Sequence, residues 1–176
     1  MKILIVIILI FIAVLINYLM NLHNIYNYYL LKINKSNEKV TNLLTEKYNL
    51  MINLIDALKD EKKFKTEDYN DFITLPNYEN IFLDNQIKVY EQKLNEYFED
   101  HEKVLKKNEI SDLYKNIKTI SNQLRAAKRY YNDTNNKYNK LVSRFPSNLI
   151  AKFKHYETNE LYEEEVLEQL KILEEE

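Results

Sequence analysis

At 176 residues and 21.4 kDa the chain has room for one modest core plus an anchor; it contains no Gly, Cys or Trp and only 2 Pro. Those zeros exclude the glycine loops that cradle phosphates. They also exclude disulfides, thiolate metal sites, thiol nucleophiles and cysteine lipidation. With 27 acidic against 25 basic residues, a net charge of -2 supplies no broad basic field, so a nucleic-acid partner is not expected.

The lack of glycine disfavours tight hairpins and hence β-rich folds. It also predicts that left-handed backbone positions fall to Asn, the next most tolerant residue. In chain order, Ile3 to Ile16 is uninterrupted apolar sequence, extended by Tyr18, Leu19 and Met20 past a single Asn17. As a helix those 18 residues span about 27 Å, close to the roughly 30 Å of bilayer hydrocarbon. We read an uncleaved transmembrane helix with an interfacial extension to residue 31. The competing reading is a cleavable signal peptide, but no small-residue cleavage site follows the run. Lys32, Lys35 and Lys39 on one side against Lys2 on the other tilt the expected topology toward a cytoplasmic C-terminal domain and an external N-terminus.

Val40, Leu44, Tyr48, Met51, Ile55 and Leu58 then form a helical stripe, widened by Leu43, Leu50 and Leu54. Nothing breaks helix between Lys2 and Lys63, with Ser36-Asn37 as a restart point. Pro76 predicts a boundary. Beyond it Leu83, Ile87, Tyr90, Leu94, Tyr97, His101 and Val104 make the next stripe, and a phase break puts a turn at Lys106-Lys107-Asn108 with Asn108 as an N-cap. The most regular stripe follows: Ile110, Leu113, Ile117, Ile120, Leu124, Ala127, Tyr131, Thr134, Tyr138, Leu141 and Phe145 alternate three- and four-residue steps. That spacing requires a long helix seamed against a partner. Pro146 should stop it and Ser147 cap a short helix holding Leu149, Ile150 and Phe153. Residues 159–176 are expected to form an acidic helix or tail, with Val166, Leu170 and Leu173 at helical spacing as a possible site of self-association.

Ala126-Ala127-Lys128-Arg129-Tyr130-Tyr131-Asn132, continuing through Tyr138-Asn139 to Phe145-Pro146-Ser147-Asn148-Leu149-Ile150-Ala151, resembles the C-terminal signature of the LemA family of bacterial membrane-anchored helical proteins. Asn49 to Ile55 and Lys107 to Ile110 are similar to two further segments of that family. The family usually has proline where Ile52 stands here. The resemblance implies a single-pass protein with a long-helix bundle, a short exported N-terminus and a cytoplasmic domain. It implies no activity.

The tyrosines of the two Tyr-Asn pairs fall on the seam, which favours packing, with each Asn bonding to a neighbouring helix. Arg125, Arg129, Asn132, Asn136, Lys140 and Arg144 line another face, where a partner or lipid headgroups could dock, although most such faces are simply solvated. His23, His101 and His155 lack the neighbours of zinc or di-iron motifs, so no metal or cofactor is expected. The residues together predict an all-α fold: a transmembrane helix leading into an antiparallel three- or four-helix bundle over residues 32–158. The expected role is a non-catalytic, membrane-tethered interaction or scaffold module with an unidentified protein partner or self-association. The alternative is an envelope enzyme with a buried polar or metal centre around His101, Tyr131 and Tyr138. A concave pocket of convergent titratable groups would mark the enzyme, and a closed seam the scaffold.

Overall fold

The computed structural model describes residues 1–61, 63–75 and 79–162. Its elements are α1 (Lys2–Leu58), a 3-10 turn η1 (Thr66–Tyr69), α2 (Asn70–Ile73), α3 (Asn80–Asp100), α4 (Glu102–Leu105), α5 (Asn108–Ser143) and α6 (Asn148–Lys154). No strand occurs among the described residues. Two compact units divide the chain. One comprises Met1–Asn37 with Arg129–Glu163, and the other Glu38–Lys128 with Glu164–Glu176, so α1 and α5 each contribute to both. The expected helix carrying Val166, Leu170 and Leu173, and the boundary at Pro76, lie outside the described residues.

In the unit built on Glu38–Lys128 the apolar stripes meet as a core. Val40, Leu44, Met51, Leu54, Ile55 and Leu58 of α1 are fully buried, as the spacing demanded, and each such side chain contributes about 1.5–3 kcal/mol by leaving water. Ile87, Leu94 and Phe98 of α3 and Ile117, Ile120 and Leu124 of α5 are buried in the same unit. The directions of the helices follow from their cross-links. Thr41 accepts from Asn80 and Lys47 pairs with Glu91, so α1 and α3 run the same way. Asp84 meets Lys128 and Asn95 meets Tyr114, so α5 runs against α3. Two parallel neighbours need a return path between them, and residues 63–75 lie on it. Phe64 packs on Tyr97, Tyr69 on Tyr90, and Phe72 on Tyr48 and Tyr90, while the Tyr48 hydroxyl donates to the Phe72 carbonyl at 3.1 Å. The bundle is therefore up-down-up-down, with an irregular aromatic segment replacing the second helix.

Ser36-Asn37 does not restart α1; the Ser36 hydroxyl donates to Ile33 O three residues back at 2.9 Å, and the helix continues. The third stripe ends early, because α3 stops at Asp100 and His101 leaves helical geometry (φ -133°, ψ 49°). Phe98, rather than Tyr97, is the buried position there. Among the described residues, left-handed backbone falls to Lys63 (φ 70°) and His155 (φ 55°) rather than to Asn. His155 ends α6 with Tyr156 N donating to Ala151 O at 2.9 Å, a closure that lets Tyr156 fold back onto the helix it follows. Ser147 does not cap α6 with its side chain; its hydroxyl faces the Leu141 and Arg144 carbonyls at 2.7 and 2.8 Å.

The unit of Met1–Asn37 and Arg129–Glu163 has a smaller core. Tyr26, Ile33, Tyr138 and Ala151 form its centre, with Tyr29, Leu30, Tyr131, Leu141, Ile150 and Tyr156 packed around them. By contrast residues 1–20 are all exposed, including every large apolar side chain from Ile3 to Met20.

Candidate functional site

In this smaller unit the second half of α5 presents two kinds of residue. The seam positions Tyr131 and Tyr138 turn inward: Tyr138 is 2% exposed, and burial, with Tyr156 and Tyr26 nearby, raises its phenol above the usual range. Burial also raises Tyr131, followed by the Glu160 carboxylate, while a hydrogen bond with Asn135 opposes them. Phe145, assigned to the same seam, is 78% exposed instead. The reason is that α5 ends at Ser143, so helical phase no longer governs where Phe145 points.

Asparagines provide the second feature. Asn132 Nδ2 donates to Tyr162 O (2.8 Å) while Tyr162 N donates to Asn132 Oδ1 (3.0 Å). Asn139 holds Asn159 in the same two-bond ring, both bonds at 2.9 Å. Between them Asn135, fully buried, donates to Tyr131 O and accepts from Asn159 Nδ2 at 2.8 Å. A carboxamide, like a peptide group, has one donor edge and one acceptor edge, so each Asn substitutes for a neighbouring strand. The spacing explains the repeat. Seven helical residues advance about 10.5 Å, a rise that three residues span only near full extension, about 10 Å, and Asn132 and Asn139 meet Tyr162 and Asn159 together. Tyr131 closes the row edge-on against Tyr162, centroids 5.0 Å apart.

Two expectations meet at Asn132: a bond across to a neighbouring helix, as for Asn139, and a place on the outer face with Arg125, Arg129, Asn136, Lys140 and Arg144. Asn132 is 3% exposed and committed to the strap of residues 156–162, because that strap covers its side of α5. Arg129, Asn136, Lys140 and Arg144 remain exposed on the helix. Arg125, half-buried and engaged in other interactions, belongs to the other unit. Asn159, assigned to the tail, is likewise part of this packing.

Opposite charges buried among the stripes distinguish the larger unit. The Lys128 ammonium donates to both Asp84 oxygens at 2.9 and 3.1 Å with both side chains almost fully buried, and Lys88 approaches Asp84 at 3.3 Å. Lys47, 3% exposed, pairs with Glu91 at 2.6 Å, and Glu91 also accepts from Ser121 at 3.3 Å. None of these was singled out in the sequence, although Lys47 stands inside the α1 stripe, three residues after Leu44 and four before Met51.

A solvent-open cleft of about 550 Å³ in the same unit is lined by Phe64, Tyr69, Tyr97 and His101, with lysines and carboxylates on its rim. His101 stacks on Tyr97 (4.5 Å, 16°) and its Nδ1 lies 2.9 Å from Tyr97 O, which calls for the proton on Nδ1. Burial, then the Asp68 and Glu96 carboxylates, push the Tyr69 phenol up to about 12. His101 thus lies in one unit and Tyr131 and Tyr138 in the other. No cluster of three or more metal-binding side chains is found among the described residues.

No curated protein and no solved structure gives a match. The model of the LemA family matches residues 36–172, a span that contains both Tyr-Asn pairs, the carboxamide row and its strap. The chain belongs to the LemA family.

Proposed function

We propose that the chain is a single-pass membrane protein in which the first part of α1 crosses the bilayer and the rest carries a non-catalytic interaction or scaffold module on the cytoplasmic side. One observation carries this reading. The exposed apolar run of residues 3–20 and the buried positions Leu22, Tyr26 and Ile33 lie on one uninterrupted helix. Large apolar surface left bare beside a packed core marks contact with lipid or a partner, and its length suits the hydrocarbon thickness. Continuity into the core favours an anchor over a cleavable leader. Alkaline carbonate extraction of membranes holding the full chain tests it: the protein stays in the pellet, and recovery in the supernatant overturns the anchor. Because the chain has no cysteine, Asn136→Cys serves as a topology reporter. Labelling by an impermeant maleimide only after permeabilisation supports the cytoplasmic side, and labelling of intact cells reverses it.

The partner surface we favour is the exposed part of the α5 face, Arg129, Asn136, Lys140 and Arg144. Its charge suits an acidic protein partner. The scaffold role is supported by the filled apolar seams and by the row of asparagines, which serve the strap.

A second reading is favoured by the cleft beside His101, whose titratable lining has the composition expected of a ligand or reaction site. His101 imidazole resonances that shift on titration with small aromatic acids or amines, in the full chain in detergent, would favour it over the scaffold.

A further inference from the structure

The turn after α5 leaves large apolar side chains in the open. Phe145 is 78% exposed, Leu149 58% and Phe153 81%. Leu149 and Phe153 are four residues apart, so they share one face of α6. Ala151, on the inward side, is 1% exposed and packs in the core with Tyr26. Exposed Arg144, Lys152 and Lys154 flank the three apolar groups. A helix face with bare phenylalanine and leucine beside lysine has the composition of an element that lies in a membrane interface.

Its position points the same way. The Tyr26 hydroxyl donates to Leu141 O at 2.7 Å and lies 3.1 Å from Ser147 O, tying this turn to α1. Tyr26 is six residues, about 9 Å, beyond Met20, where the exposed apolar run ends. The helices run in opposite directions here: Tyr26 contacts Tyr138 and Leu141, whereas Asn37 contacts Tyr162, itself held by Asn132. The chain leaving α5 therefore heads toward the apolar end of α1.

We propose that Phe145, Leu149 and Phe153 form a second membrane contact, entering the interface of a bilayer whose anionic headgroups meet Arg144, Lys152 and Lys154. This rests on the anchor reading and adds to it. The single spanning helix is held upright by a lateral foot, and the basic residues place additional positive charge at the membrane surface on the side of the bundle, the cytoplasmic side by the charge rule.

The absence of tryptophan makes the test direct. Full-length chain carrying Phe153→Trp is reconstituted in phosphatidylcholine vesicles with and without phosphatidylglycerol, some lipids bearing bromines at shallow or deep acyl positions. Ile12→Trp and Asn136→Trp serve as references. Expected are a blue-shifted Phe153→Trp emission and roughly twofold quenching by shallow bromines, weaker by deep ones, as for an interfacial helix. Anionic lipid should enhance the quenching, and replacing Arg144, Lys152 and Lys154 by Gln should abolish that enhancement. Asn136→Trp should stay unquenched. If Ile12→Trp is quenched and Phe153→Trp is not, the foot is overturned while the anchor stands; if neither is quenched, the anchor fails as well. A blue shift that grows with protein density but ignores bromine would mean that a second copy covers the patch, which also overturns the proposal. Quenching that persists unchanged without anionic lipid would overturn the headgroup contact.

Discussion

The two units solve the same problem, fixing the register of their helices, with different chemistry. In the larger unit charge is buried, Lys128 on Asp84 and Lys47 on a half-buried Glu91. In the smaller one neutral carboxamides hold backbone, Asn132 on Tyr162 and Asn139 on Asn159. Buried ions need each other because a lone one keeps its desolvation cost. Carboxamides replace a missing strand without charge, so they add order with little sensitivity to salt or pH. The comparison teaches that register can be set electrostatically or by hydrogen-bond geometry, and each choice predicts a distinct failure.

The largest effect should follow Asp84→Ala. Removing the buried carboxylate that meets the Lys128 ammonium should cost about 3–5 kcal/mol, read by denaturant unfolding in detergent. Replacing both members, Asp84→Leu with Lys128→Met, should recover most of that loss. If the single and double variants unfold alike, the pair is not what orders this seam. A smaller loss, about 1–3 kcal/mol, is expected for Asn132→Ala, which removes both bonds between Asn132 and the Tyr162 backbone. Here hydrogen exchange should rise in residues 156–162 and hardly change in α3, so uniform acceleration would contradict a local clamp.

Tyr69 sharpens the contrast at high pH. Its phenol ionises near 10 when unfolded and about 12 when folded. The protonated form is therefore favoured by folding. Its contribution is complete below pH 10 and disappears as pH climbs from 10 to 12, an alkaline loss on the order of 1–3 kcal/mol. Comparing Tyr69→Phe with the parent isolates that loss from lysine titration; identical alkaline profiles would show the phenol to be unperturbed. The smallest effect belongs to Phe145→Ser, within about 0.5 kcal/mol in detergent since the ring is exposed. A larger loss would return Phe145 to the seam.

Much of this architecture was legible because apolar spacing reports helices faithfully. Val40, Leu44, Met51, Ile55 and Leu58, and Ile110, Ile117, Ile120 and Leu124, are buried, while Tyr48 and Leu113 of the same stripes are half-buried, and the family resemblance lay in residues the seam uses. What escaped was chemistry without period. Asn132 has the polarity of a solvated face, and only the strap, an irregular segment with no pattern of its own, turns it inward. The pairing of Asp84 with Lys128 spans 44 positions and has no local signature. Lys47 did carry a signal, a charge inside an apolar stripe, but naming Glu91 as its partner requires the parallel course of α1 and α3. That course depends on a return segment that periodicity dissolves into scattered aromatics.

The matched spacings of helix and strap behave like a vernier. Two scales with different gradations coincide only at chosen marks, so the strap cannot creep along α5 by a single step and keep both asparagines engaged. Inserting one residue between Asn159 and Tyr162 would disengage a clamp outright, whereas a substitution of Glu160 or Leu161 would leave both marks aligned. Length, more than identity, is what selection must preserve in that short stretch.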